Sequence, residues 1–249
     1  MIGEIHLYFS YPDHISDSGL LRQYKSLLSE DELENMNRFH FARHRHQYLI
    51  TRALVRTCLS AYYPVEPADW TFSKNNFGKP WISHPDRQLP IRFNLSHTNG
   101  LVMCGVVQDY EIGVDVEDIE RPTNTAYEDI CRYFSTRETA DLLELPEQQQ
   151  KQRFFDYWTL KESYIKALGM GLSIPLDKFS FLFKHDKLTG FSIHPDLKDN
   201  ADSWQFWRVS LDTKYRVAVA VKGGSNNFKL IAFNSVPLRS GDPIPLNLL

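Results

Sequence analysis

The chain has 249 residues, enough for one large domain or two small ones. Hydrophobic residues make up 42% and charged residues 24%, which excludes an extensively disordered or fibrous protein. The net charge of −3 gives no overall basic surface and argues against a nucleic-acid-binding protein. Cys58, Cys104 and Cys131 are few and widely spaced, so they form neither a disulfide framework nor a zinc pattern. The first residues carry no basic leader and apolar run, and no stretch is long and apolar enough to span a bilayer. A reducing cytoplasm is the expected location, with no membrane association.

In chain order, the first feature is a basic cluster of His40, Arg43, His44, Arg45, His46 and Arg52. It reads either as a solvated helix face or as a phosphate-binding patch. Leu49, Leu54, Val55 and Leu59 recur at helical spacing and predict a helix over about 46–62. A short strand is expected at 70–72. Phe77-Gly78-Lys79-Pro80-Trp81 then reads as a turn, with Lys79 either in solvent or held as a point charge for phosphate. The strand expected at 91–95 ends in a polar turn carrying Ser96 and His97. A turn histidine bonded locally is one reading of His97, and a phosphate contact is the other. An apolar strand is expected at 101–107.

Ile112, Val114 and Val116 alternate with Gly113, Asp115 and Glu117, which predicts a strand with both carboxylates on one face. The spacing leaves two readings open: charges on a wet strand face, or ligands for a hard cation. A polar, Pro-containing break over 118–125 divides the sequence into halves 1–118 and 119–249. A helix is predicted over about 151–168, with Phe154, Tyr157, Leu160, Ile165 and Leu168 as its apolar stripe. Glu162 and Lys166 lie four apart at the margin of that stripe. By spacing alone they read as a surface ion pair. Gly169 and Gly171 end the helix, and strands are expected at 179–183, 204–209 and 215–221. The order helix, strand, strand, strand thus occurs twice. It predicts an α+β pseudo-dimer of two similar halves, with a ligand in the cleft between them. If the acidic strand packs against the helix, three carboxylates meet one ammonium, a hard-oxygen setting for Mg²⁺ and phosphate chemistry. No phosphate-binding loop, dinucleotide fingerprint or serine-hydrolase elbow occurs.

Four motifs in order carry a family resemblance: Phe77-Gly78-Lys79-Pro80, Phe93-Asn94-Leu95-Ser96-His97, Ile112-Gly113-Val114-Asp115-Val116-Glu117, and Trp158-Thr159-Leu160-Lys161-Glu162-Ser163 with Lys166. Together they resemble the Sfp-type 4′-phosphopantetheinyl transferases over about 38–181. The resemblance implies a monomer of two α+β halves with the active site between them, the N-terminal half binding coenzyme A. It implies transfer of the phosphopantetheine arm of coenzyme A to a serine of an apo acyl or peptidyl carrier protein, releasing 3′,5′-ADP. Mg²⁺, with Mn²⁺ as the other candidate, is implied on Asp115, Glu117 and Glu162. Glu162 is implied as the base, acting directly or through water, with Lys166 at the leaving phosphate. His97 is implied at the pyrophosphate, and Ser96 and Lys79 at the nucleotide end.

Some relatives carry lysines before the Arg-Phe pair, whereas this chain reads Glu30-Asp31-Glu32-Leu33-Glu34-Asn35 before Arg38-Phe39. The 3′-phosphate is therefore assigned to Arg43, Arg45 or Arg52, with Arg56 read as structural or as a further family position. The carrier is expected to dock on about 123–134, with Tyr127 and Tyr133. The size favours the branch that serves peptide synthetases, polyketide synthases and fatty-acid or siderophore pathways. A non-catalytic carrier- or nucleotide-binding module and a Mg²⁺-dependent phosphohydrolase are the competing readings.

Overall fold

The computed structural model describes residues 2–84, 89–121, 127–239 and 241–249, without the side chains of 127, 128 and 172. Its elements run β1 (Glu4–Ser10), α1 (Ser18–Ser26), α2 (Glu30–Arg38), α3 (Ala42–Ser60), β2 (Thr71–Lys74), β3 (Pro80–His84), β4 (Ile91–Thr98), β5 (Leu101–Gln108) and β6 (Ile112–Asp118). They continue α4 (Tyr127–Cys131), α5 (Thr136–Glu144), α6 (Glu147–Leu168), β7 (Phe179–Lys184), β8 (Lys187–Ile193), β9 (Gln205–Ser210), β10 (Tyr215–Val221), β11 (Lys229–Asn234), β12 (Asp242–Ile244) and β13 (Asn247–Leu248). They form two compact units. The first holds Met1–Asp109 and Phe228–Pro245, and the second Tyr110–Asn227 and Leu246–Leu249.

The first unit is a five-stranded sheet, ordered β12-β11-β1-β5-β4, with α3 packed on it and β2–β3 as a separate hairpin. β5 is apolar at nearly every position and buried along its length, between β1 and β4. Leu54, Val55, Cys58 and Leu59 of α3 meet Phe93, Val102, Cys104 and Val106 there. Ser29 and Glu32 form a capping box that starts α2.

The second unit repeats the plan. Its sheet is ordered β13-β9-β10-β6, α6 lies across β6 and β10, and β7–β8 is a separate hairpin. Its core is aromatic: Phe154, Phe155, Tyr157, Tyr164, Phe179 and Phe181 are all buried. Gly169, at φ 67, ends α6 with its N–H on the Ile165 carbonyl. The protein is an α+β fold of two similarly built units.

Three expectations are corrected. The division expected at 118 lies at Asp109 and Tyr110, because β6 pairs with β10 and β11 pairs with β1. The first half of the sequence thus gives β6 to the second unit's sheet and the second half gives β11 and β12 to the first, an exchange that no local pattern encodes. Ser96 and His97 stand in strand rather than in a turn. They pair with Met103 and Val102, and the reversal is made at Gly100, where φ is 76. The helix expected from 46 begins at Ala42, which draws Arg43 and Arg45 into its first turn.

One contact sets the distance between α6 and its sheet. A Cβ on Gly113 would lie 1.9 Å from the Ser163 carbonyl oxygen and 2.4 Å from the Ala167 nitrogen. Both neighbours are backbone and cannot turn aside. Gly113→Ala is expected to lower stability by roughly 3 kcal/mol or more. Urea unfolding measures this, and an unchanged midpoint would refute so close an approach.

Candidate active site

The acidic strand and the long helix meet as two rows in register. A helix climbs about 6 Å in four residues and a strand about 6.6 Å in two, so the rows stay in step. Trp158, Glu162 and Lys166 on α6 therefore run alongside Glu117, Asp115 and Gly113 on β6. Trp158 donates its indole N–H to Glu117 Oε1 at 3.0 Å. Lys166 donates to Asp115 Oδ1 at 2.6 Å. Arg121, just beyond β6, reaches back to Glu117 Oε2 at 3.1 Å. Glu162 is half-buried and accepts no hydrogen bond among the described residues.

The carboxylates also act on one another through charge. Burial pushes Glu117 up to about 7, and the charge of Asp115 adds to it. Arg121, the Trp158 hydrogen bond and Lys166 oppose the rise. Glu162 is also raised, first by burial and then by Asp115, against Lys166. Two carboxylates thus feel the repulsion of a third, and an added cation would relieve it. Among the described residues no three acidic, histidine or cysteine side chains close into a finished metal cage. Mg²⁺ does not need one: it takes one or two carboxylates and completes its shell with water and phosphate oxygens. The hard-oxygen donors and their unrelieved repulsion fit such an ion.

A third ion pair begins one residue before Glu162 on α6. Lys161 and Glu138 are both fully buried and 2.7 Å apart. Lys161 also donates to the carbonyls of Leu176 (2.8 Å) and Phe179 (2.7 Å). Glu138 accepts from the Phe181 N–H at 2.9 Å and from the N–H and hydroxyl of Ser135. This closed network ties α5 and β7 to α6 one residue before Glu162. Asp156 on the same helix holds Arg208 at 2.6 Å, with Arg216 at 3.6 Å, from β9 and β10.

The remaining candidate residues lie in the first unit. Arg43 and Arg45 stand in the first turn of α3, where no acidic residue offsets them and the helix end is itself positive. Arg45 donates to the Phe39 and His40 carbonyls at 2.6 and 3.0 Å, and Arg43 lies 5.6 Å from the Phe41 ring. Arg52 is engaged elsewhere: it donates to Glu32 Oε1 at 2.7 Å, while buried Arg56 takes Oε2 at 2.6 Å. Glu32 belongs to the acidic stretch Glu30-Asp31-Glu32-Leu33-Glu34-Asn35 that precedes Arg38.

Lys79 follows Gly78, whose φ is 89, on a turn where Asn75 Oδ1 accepts the Lys79 N–H at 2.9 Å. His97 is exposed and shares the face of β4 whose Phe93 and Leu95 pack toward α3. Ser96 is buried on the opposite face, so the two neighbours do not converge. Gln47 of α3 donates to the Thr98 carbonyl at 2.9 Å, tying this strand end to the start of α3. Of the expected carrier surface over 123–134, residues 123–126 and the side chains of 127 and 128 lie outside the described residues, and Tyr133 is exposed.

The sequence reading gave no role to Gly113, Trp158 or Arg121. Trp158 had a signal, its four-residue spacing to Glu162. Arg121 had none, because its contact follows from the backbone path after β6.

Two family models match the chain. That of the 4′-phosphopantetheinyl transferase superfamily covers residues 111–220, and that of the 4′-phosphopantetheinyl transferase N-terminal region covers 17–107. The 4′-phosphopantetheinyl transferase HetI of Nostoc sp. (strain PCC 7120) is 34% identical over 203 residues, 82% of each chain. The 4′-phosphopantetheinyl transferase Sfp of Bacillus subtilis (strain 168) is 32% identical over 214 residues, 86% of this chain and 90% of that protein. The 4′-phosphopantetheinyl transferase ffp of Bacillus subtilis is 38% identical over 162 residues, 65% and 69% of the two chains. The protein belongs to the 4′-phosphopantetheinyl transferase superfamily and is of the Sfp type. It is a transferase.

In the metal-free protein, Glu117 is expected to titrate near pH 7. Asp115→Asn removes a neighbouring negative charge and is expected to lower that value. Carboxyl-carbon NMR of labelled glutamate measures it, and a titration near the ordinary carboxylate range in both forms would contradict the convergence.

Proposed function

We propose that the protein transfers the 4′-phosphopantetheine arm of coenzyme A to the acceptor serine of an apo acyl or peptidyl carrier protein, releasing 3′,5′-ADP. It acts as a cytoplasmic monomer and depends on Mg²⁺, with Mn²⁺ as a substitute. The observation that carries the reading is the row of Asp115, Glu117, Glu162 and Lys166 along β6 and α6. Among the described residues no helix is long and apolar enough to cross a membrane.

Asp115, Glu117 and Glu162 would hold the ion, which supplies Lewis-acid and charge-neutralising power toward the diphosphate. Glu162 is the base. Its carboxylate is not engaged by a hydrogen-bond donor among the described residues, which leaves an oxygen to accept the serine proton. It takes the serine proton as the serine oxygen bonds to the phosphorus carrying the pantetheine arm. The bond from that phosphorus to the bridging oxygen breaks, and 3′,5′-ADP leaves with the electron pair. Lys166 meets the negative charge that develops on the leaving group.

In the first unit, Arg43 and Arg45 at the helix start, Lys79 on its turn and His97 at the strand end serve the phosphates of coenzyme A. Ser96 supports the nucleotide end from beneath the strand. Arg52 joins the nucleotide contacts only by exchanging Glu32 for phosphate, so its assigned role is the ion pair that fixes α2 to α3.

Release of 3′,5′-ADP from coenzyme A, followed with and without an apo carrier protein, tests the reaction class. A transferase releases it only with the carrier; release without the carrier means a hydrolase, and none in either case means a binding module. Glu162→Gln and Asp115→Asn are expected to lower turnover roughly 10²-fold or more with the fold kept, as circular dichroism would report. Near-normal turnover in either refutes the site assignment. Lys166→Ala is expected to reduce kcat by more than it raises KM for coenzyme A. A pure KM effect in steady-state kinetics refutes its place at the leaving group.

A further inference from the structure

Glu117 has two oxygens held by two very different groups. Oε1 takes the indole N–H of Trp158, a side chain fixed in α6 and stacked on Phe154. Oε2 takes the guanidinium of Arg121, whose side chain is 43% exposed against 12% for Glu117. One holder is rigid and the other stands at the solvent edge on a long, flexible stem. Lys166 occupies Asp115 Oδ1 in the same manner, at 28% side-chain exposure. The three carboxylates of the row are thus opposed by two cationic side chains, both of which can swing out.

We propose that Arg121 is a placeholder cation of the active site. It occupies Glu117 Oε2 when no divalent ion is bound and must release that oxygen when one enters. Arg121 is then a positioning residue that competes with the metal. The inference rests on the reading of Asp115, Glu117 and Glu162 as metal ligands. The geometry supports the direction of the effect: Trp158 holds Glu117 in place whether or not Arg121 is present, so removing Arg121 frees a ligand oxygen without releasing the carboxylate. Arg121 makes no other ion pair among the described residues, and its guanidinium lies 5.8 Å from the Phe155 ring. Freed from Glu117, the guanidinium lies beside the site as a donor for substrate phosphate oxygens.

The test is Mn²⁺ binding to the full-length protein without coenzyme A, read by electron paramagnetic resonance at fixed ionic strength. Arg121→Gln is expected to bind Mn²⁺ roughly three- to tenfold more tightly than the unsubstituted protein. Lys214→Gln is the control for charge alone, because Lys214 pairs with Asp118 at 3.5 Å, on the other face of β6. It is expected to change the affinity by less than about twofold. Unchanged or weaker binding in Arg121→Gln overturns the proposal, and so does an equal gain in Lys214→Gln. Asp115→Asn separates this failure from that of the underlying reading. If the unsubstituted protein binds Mn²⁺ and Asp115→Asn does not, the metal site stands and only the role of Arg121 is in question. If the two bind alike, the metal-site reading itself fails.

Discussion

The active site depends on how near α6 comes to β6. A glycine at 113 lets helix backbone sit where a side chain would otherwise be, with a hypothetical Cβ only 1.9 Å from the Ser163 carbonyl. The partner strand keeps the same slot narrow, since Ala218 and Ala220 face α6 opposite Asp115 and Gly113. At that separation the four-residue step of the helix and the two-residue step of the strand bring Trp158 to Glu117 and Glu162 alongside Asp115, and Lys166, one step further along the helix, reaches back to Asp115. A wider gap would leave the same residues as separate surface charges, each worth little.

Closeness has an electrostatic consequence. Burial, and then the charge of Asp115, push Glu117 and Glu162 upward. The fold compensates locally with Lys166 and Arg121, and it secures the helix with the buried Lys161–Glu138 pair. That pair has every charge met: Lys161 reaches two carbonyls and Glu138 three donors besides each other. Such a network gives little net stability over an apolar replacement, but it fixes geometry, here next to Glu162. Rigid support and movable cations together make a site that is positioned yet open to exchange.

Much of the site was legible because its periods are simple. Period two in Gly113-Val114-Asp115-Val116-Glu117 and the four-residue spacing of Glu162 and Lys166 each define a face, and those faces meet. The α+β character and the repeated order of elements were readable for the same reason. What was not legible is long-range. No local pattern indicates that β6 leaves its half to pair with β10, or that β11 returns to lie parallel to β1. Ser96 and His97 look like a polar turn, yet they continue the strand, because Gly100 supplies the reversal. Arg52 looks like part of a basic patch, but a carboxylate twenty residues earlier, Glu32, claims it.

We propose that the β6–α6 row is a metal-assisted phosphopantetheine-transfer site. Intact-mass spectrometry of an apo carrier protein incubated with this protein, coenzyme A and Mg²⁺ tests it most directly. The carrier is expected to gain one phosphopantetheinyl group, EDTA to prevent the gain, and excess Mg²⁺ to restore it. A carrier left unmodified across several acyl and peptidyl types, or one modified equally well in EDTA, would contradict it.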